Sequence, residues 1–342
     1  MLRRLLVGAL IATVLLAIGG YVWLTHLVKQ PLSLEEPLEF SVESGSNLTR
    51  LLGQLHDQHD LFSSHIQQQS LLLYARFNDL GDIQAGDYRL QPGVTPISLL
   101  DKLNSGDVVY HQVTLPEGLT VKQWLAKLRD QPHLQASDSD QELLAAVKEA
   151  NPEGWLFPDS YRYHRGDNAA DIVQRAHRTM QQTLTELWQN RAPDLPYQNP
   201  YEALVMASII EKETGVAHER PAIAGVFVRR LQRGMRLQTD PTVIYGLGDS
   251  YKGNLTRTHL RQRTAYNTYV IKGLPPTPIA NPGAEAIYAA LHPADGNALY
   301  FVAKGDGSHY FSATLKEHQR AVDQYQRRQR RSDYRSAPPV NK

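Results

Sequence analysis

The chain has no cysteine in its 342 residues. That excludes a disulfide framework, thiol catalysis and thiolate metal sites, and any core must hold by packing alone. Net charge is nearly absent too: 36 Lys and Arg stand against 35 Asp and Glu, a formal +1, so no global field draws in nucleic acid. A local basic run, Arg327, Arg328, Arg330, Arg331 and Arg335, reads as a solvated helix end followed by a frayed tail over 336–342. No His-Glu-x-x-His element occurs and no glycine-rich loop carries a phosphate-binding lysine, which sets aside zinc-hydrolase and nucleotide chemistry. The adjacent His218 and Glu219 are too small a set to hold an ion. Neither a metal nor a cofactor is expected.

What is present begins with twenty uncharged residues, Leu5 to Leu24, preceded by Arg3 and Arg4 and followed by His26 and Lys29. As a helix this run is about 30 Å long, the thickness of a bilayer's hydrocarbon core. Small residues at Ala17-Ile18-Gly19 have the spacing of a signal-peptide cleavage site. The apolar run continues past them through Tyr21, Val22, Trp23 and Leu24, longer than a cleaved segment needs, and Tyr21 and Trp23 suit a membrane interface. An uncleaved anchor follows, with Arg3 and Arg4 keeping the N-terminus in the cytoplasm and everything after residue 29 outside.

Between residues 40 and 128 one pattern recurs three times: alternation of period two, a turn with glycine, then an apolar stripe of period near 3.6. The copies turn at Gly45, Gly93 and Gly118 and lead into Leu48-Leu51-Leu52-Leu55, Ile97-Leu99-Leu100-Leu103 and Val121-Trp124-Leu125-Leu128. Asn47, Thr95 and Thr120 stand where helix N-caps belong. Glycine spacings of 48 and 25 residues are unequal, so this is a reused strand–turn–helix unit and not a solenoid array.

A polar connection follows over 130–153, with a short helix expected at 141–150. The stretch Glu153 to Tyr161 gathers Trp155, Phe157 and Tyr161 about a turn and reads as a core plug or as a platform for sugar rings. Helices are expected at 168–189, 200–214, 219–233, within 241–247 and 256–263, and at 283–291. Two alternating runs, Ala298 to Ala303 and His309 to Ser312, flank Gly305-Asp306-Gly307 as a hairpin before a last helix from Leu315.

The segment Tyr201 to Gly215 carries the most chemistry. It begins after Pro200, is apolar on every side from Ala203 to Ile210, and ends at a glycine placed like a C-cap, so it reads as a buried central helix. Glu211, Lys212 and Glu213 then crowd its last turn, where the negative end of the helix dipole favours a protonated carboxyl. Glu213 lies on the face of Met206, Ile209 and Ile210, whose apolar surroundings would raise its pKa, as a general acid working near neutrality requires. Glu211 follows Ala207 and Ser208 instead. A merely solvated helix end fits the same three residues.

Three later segments extend the pattern: Arg236-Leu237-Gln238-Thr239-Asp240-Pro241-Thr242-Val243-Ile244-Tyr245-Gly246, then Thr264 to Tyr269 containing Tyr266 and Asn267, then the proline-rich Gly273 to Gly283. Together with Glu-Lys-Glu-Thr at 211–214, and in this order, they resemble the endolytic murein transglycosylase family, membrane-anchored bacterial enzymes that cut nascent glycan strands. By that resemblance Glu213 is the catalytic glutamate, and Gln238, Thr239, Asp240, Tyr245, Tyr266 and Asn267 lie near the substrate. Asp240-Pro241 reads equally as an N-cap followed by proline at the first helical position. Residues 38–110 separately resemble a LysM module, which binds N-acetylated sugars; the same pattern also suits a spacer.

The expected architecture is therefore α+β. A transmembrane helix occupies 1–29, a small LysM-like α+β module 30–110, and a mixed, mostly helical catalytic domain with a C-terminal β-hairpin 111–335, with a tail over 336–342. The expected partners are peptidoglycan glycan strands, the cytoplasmic (inner) membrane and, by family resemblance, peptidoglycan synthases. The resemblance implies cleavage between N-acetylmuramic acid and N-acetylglucosamine with formation of a 1,6-anhydro end. Its rivals are a hydrolytic muramidase using Asp240 or Glu219 as second carboxylate, and a noncatalytic wall-binding scaffold.

Overall fold

At each of the three glycine turns the backbone enters the left-handed region, with φ of 82° at Gly45, 86° at Gly93 and 77° at Gly118, so a strand can reverse directly into a helix. Asn47, Thr95 and Thr120 then cap those helices through their side chains, and Thr95 and Thr120 complete reciprocal capping boxes with Ser98 and Gln123. The computed structural model describes residues 2–328, a mixed α+β chain with three two-stranded sheets. Arg330, Arg331, Arg335 and the 336–342 segment lie outside the described residues. Contacts divide the chain into two units, Met1–His111 with Arg162–Asp167, and Gln112–Tyr161 with Asn168–Lys342.

The first unit opens with α1 (Leu2–Lys29), which over Leu6–Lys29 is long and apolar enough to cross a membrane. Then come β1 (Leu38–Val42), α2 (Leu48–His59), α3 (His65–Phe77), β2 (Gly86–Leu90) and α4 (Pro96–Ser105). β1 and β2 pair antiparallel, Leu38 opposite Leu90 and Val42 opposite Gly86. The leucine stripes of α2, α3 and α4 close over this pair, and Val28 from the last turn of α1 joins their core. Asp87 on β2 accepts hydrogen bonds from Ser41 (2.6 Å), Arg165 (2.5 Å) and His111 (3.1 Å). Burial would raise its pKa, but the bonds from Arg165, Ser41 and His111 outweigh that and bring it down to about 2.

In the second unit β3 (His111–Leu115), α5 (Val121–Arg129), α6 (Asp140–Leu143) and β4 (Asp159–Tyr163) precede a helical body. That body contains α7 (Ala169–Gln189), α8 (Pro200–Glu213), α9 (Arg220–Gln232), α10 (Asp240–Leu247), α11 (Arg257–Arg261) and α12 (Ala284–Leu291). An antiparallel pair, β5 (Tyr300–Ala303) and β6 (His309–Ser312), leads to α13 (Leu315–Val322). The division between the two units falls inside β3 and β4, which pair with each other. α8 is the axis: every residue from Ala203 to Ile210 is buried, and its largest interface is with α12, whose Ala286, Ala289 and Ala290 permit close approach. Trp155 and Phe157 pack against this core, Trp155 stacked on Tyr201 with centroids 6.0 Å apart, which is the core-plug role.

Two local expectations need correction. The helix expected over 141–150 stops after α6 at Leu143; beyond it Ala145 and Val147 bond only three residues back, a tightening that overrides good helix formers. Gly215 is not a left-handed C-cap: α8 ends because Thr214 becomes extended, φ −146°, with its hydroxyl accepting from the Val216 N–H at 2.9 Å.

Candidate active site

α8 is held at both ends before it presents its acid. Asn199 caps its start by accepting from the Glu202 N–H at 3.0 Å, and Pro200 occupies the first turn. In the middle the Ser208 hydroxyl accepts from the Ile279 N–H at 3.0 Å, fastening the proline-rich loop to the helix. In the last turn the charged residues part company. Glu211 accepts from the Gly283 N–H at 3.1 Å and lies 3.7 Å from Arg220, while Lys212 donates to the Gly118 carbonyl at 3.0 Å. Glu213 alone of the two glutamates lines a cleft of about 720 Å³.

The cleft is walled by the 237–241 segment, Ile244, Arg230, Tyr269, β5, His309 and the face of α13 bearing Leu315, His318 and Val322. Thr239 donates its hydroxyl to Glu213. Burial pushes the Glu213 carboxyl up to about 7; the Thr239 bond pulls the other way, the Asp240 charge raises it further and Arg230 lowers it. A carboxyl poised there can give a proton near neutrality and accept one back as a carboxylate. Asp240 is held by the Tyr269 hydroxyl, which donates to Oδ1 at 2.7 Å. Asp240 is not the N-cap of α10. Thr239 occupies the cap position without a side-chain cap bond, and Asp240 is the first residue of the helix.

Gln238, Thr239 and Asp240 share the cleft with Glu213, whereas Tyr245, Tyr266 and Asn267 lie outside its lining. Asn267 is fully enclosed, donating to the carbonyls of Gln262 (2.6 Å) and His259 (3.1 Å), so it shapes a loop. Tyr245 and Tyr266 pack edge to face at 4.9 Å; Tyr245 donates to Glu153 at 3.1 Å and Tyr266 bonds with Thr277 at 2.9 Å. Glu219, considered as a second carboxylate, is buried and engaged by His309, accepting its backbone N–H at 2.9 Å and meeting its Nδ1 at 2.8 Å.

Sequence reasoning passed over Arg230, Tyr269, His309 and Glu153. Arg230 had a signal: it falls on the same helical face as Ile223 and Phe227, where a buried cation needs acceptors. It finds them in the carbonyls of Leu299 (2.6 Å) and Leu237 (2.8 Å), and its guanidinium lies over the Tyr300 ring. Glu153 offered none. Burial pushes it too up to about 7, yet both its oxygens are engaged, by the Val121 N–H at 3.0 Å and by Tyr245. Access to the cleft, not pKa, distinguishes Glu213.

Residues 40–324 match the YceG-like family. An endolytic murein transglycosylase of Bacillus subtilis is 31% identical over 323 residues, covering 86% of this chain and 88% of the relative. One of Streptococcus pneumoniae is 25% identical, covering 94% of this chain and 65% of that longer relative. A 2.6 Å crystal structure of a YceG-like protein from Listeria monocytogenes superposes with a TM-score of 0.53 at 30% identity, covering 84% of this chain and 99% of that one. With α8, its terminal glutamate and every residue lining the cleft except Gln326 falling inside the matched residues, this chain belongs to the YceG-like family.

Proposed function

We propose that the chain is an endolytic lytic transglycosylase of peptidoglycan, with Glu213 as its single acid and base. The observation that carries the reading is a carboxyl pushed up to about 7 in a cleft of about 720 Å³, in a chain whose relatives bear the name endolytic murein transglycosylase. Protonated Glu213 gives its proton to the oxygen linking N-acetylmuramic acid to N-acetylglucosamine, and the C1–O bond breaks. The carboxylate so formed takes the proton of the muramic C6 hydroxyl as that oxygen bonds to C1. One glycosidic bond is exchanged for an internal one, the enzyme regains its proton and no water is consumed. An internal nucleophile at high effective molarity removes the need for a second carboxylate to activate water.

Asp240 gives a muramidase reading its one specific support, since it lines the same cleft. Its place in the transglycosylase reading is to hold up the pKa of Glu213. Digestion of purified glycan strands followed by mass spectrometry separates the two: transglycosylation leaves 1,6-anhydro ends, hydrolysis leaves ends heavier by one water. Glu213→Gln is expected to lower release of anhydro-ended fragments roughly a hundred- to ten-thousandfold, the usual loss for a general acid–base. Undiminished release would refute the assignment.

The remaining parts take supporting roles. α1 anchors the chain in the cytoplasmic membrane with Arg3 and Arg4 inside, so that residues 111–335 act outside on nascent strands beside the synthases. The order β1, α2, α3, β2 with β1 and β2 antiparallel supports reading 30–110 as a LysM-like sugar-binding module. Gln238 and Thr239 are the nearest candidates for substrate contact, on the cleft wall beside the acid.

A further inference from the structure

Beyond α1, large apolar side chains stand exposed at few places among the described residues. Tyr110, Tyr288, Tyr310 and Leu315 are dispersed, but Ile66, Leu73 and Phe77 share one helix, at 57%, 47% and 71% exposure. On α3 they fall at i, i+7 and i+11, within a stripe roughly 40° wide at the helical period of 3.6. The other side of α3, with Gln67, Gln68, Leu71 and Ala75, is already buried in the first unit. Ser70, at the edge of the stripe, is also buried, so the stripe is a narrow apolar strip whose three large side chains stand open beside a packed edge.

The position of α3 says what covers that face. α3 packs on α1, and Gln67 beside Ile66 donates to the Gln30 carbonyl at 3.3 Å, just past the end of α1. α1 is one unbroken helix, exposed at Tyr21, Val22 and Trp23 and buried at Leu24 and Val28. No linker separates its apolar stretch from the turns packed into the first unit. A helix advances about 1.5 Å per residue, so the part of the unit around Leu24 lies within about a turn or two of the hydrocarbon that the preceding residues would occupy. α3 also carries Arg76 and no acidic residue, which suits anionic lipid head groups above an acyl layer.

We infer that the Ile66–Leu73–Phe77 face of α3 sits in the membrane interface beside α1, so that the first unit rides on the lipid surface instead of hanging from a tether. The inference rests on the reading of α1 as the anchor. Two anchoring elements, one spanning and one interfacial, would restrict the depth at which this unit meets glycan.

The absence of cysteine makes a direct test possible, because each introduced thiol is the sole labelling site. Nitroxide labels are placed through Leu15→Cys, Leu73→Cys, Phe77→Cys and, as an aqueous reference in an exposed loop, Lys252→Cys. The full chain is reconstituted in vesicles of phosphatidylglycerol and phosphatidylethanolamine. Collision rates with oxygen and with a water-soluble nickel chelate then report depth. The expected result is an oxygen-to-nickel ratio at 73 and 77 several-fold above that at 252 and approaching that at 15. A lipid signal at 15 with aqueous signals at 73 and 77 overturns this inference and leaves the anchor standing. An aqueous signal at 15 overturns the anchor reading and the inference with it. Labels at 73 and 77 shielded from both reagents would mean that protein, a second copy or another partner, covers the face, and would also overturn it.

Discussion

Three glutamates in the second unit, Glu153, Glu211 and Glu213, have carboxyls raised chiefly by burial, and their partners decide what each does. Only Glu213 opens on the cleft, so the protonated acid should disappear as pH rises through about 7, setting the alkaline limb of activity. Its neighbours move that limb in opposite directions. Asp240→Asn removes a charge that raises the pKa, so the limb should shift to lower pH; Thr239→Val removes a bond that favours the carboxylate, so it should shift to higher pH. Profiles of kcat/KM on defined glycan strands check both signs. Stability follows the same linkage. A folded pKa of about 7 against an ordinary 4.5 means that the contribution of Glu213 is whole below the ordinary carboxylate range and is lost as pH rises through 7. Glu213→Gln should therefore stabilise the protein at pH 8 by up to roughly 3 kcal/mol and change little at pH 4, measured as Tm by calorimetry.

At the scale of elements, α8 and the loop after it form one construction. Asn281 is fully buried and joins three segments: its Oδ1 accepts from the Leu156 N–H at 3.0 Å, its Nδ2 donates to the Leu119 carbonyl at 3.1 Å, and its own carbonyl accepts from the Gly118 N–H at 2.9 Å. Asn281→Ala leaves the buried Leu156 N–H unpaired, while the Leu119 carbonyl keeps its bond from the Asn281 backbone N–H at 2.9 Å, and should cost about 1–3 kcal/mol in denaturant unfolding. Ile209→Ala, in the fully buried run of α8, should cost about 2–5 kcal/mol by leaving a cavity. α8 was legible because an all-round apolar run admits only a central position, and the three glycine turns because the switch from period two to 3.6 is local. The role of Asn281 was not, since its partners lie 125 and 162 residues away.

Across the whole molecule, the apolar stretch of α1 and the packing of its last turns make separable predictions. A chain beginning at Tyr21 should leave the membrane fraction in carbonate while the first unit keeps its thermal transition. A chain beginning at Gln30 also loses buried Leu24 and Val28, each worth about 1.5–3 kcal/mol of burial, and that transition should fall. Scanning calorimetry of the two truncations decides it.

The sequence by itself determined what local chemistry controls: an apolar run of bilayer length, the caps and glycine turns that start helices, and a buried helix ending in acids, with Glu213 on its aliphatic face. It also placed Gln238, Thr239 and Asp240 near that acid, through family resemblance more than through geometry. Only the tertiary structure decided which residues meet. It brought Arg230, Tyr269 and His309 to the cleft of Glu213 from separate parts of the chain and closed Asn267 inside a loop. It also gave Glu219 to His309 and left one face of α3 bare beside α1. The physical reason is that caps and periodicity act over a few residues, whereas desolvation and charge at a site are set by neighbours that the sequence holds far apart.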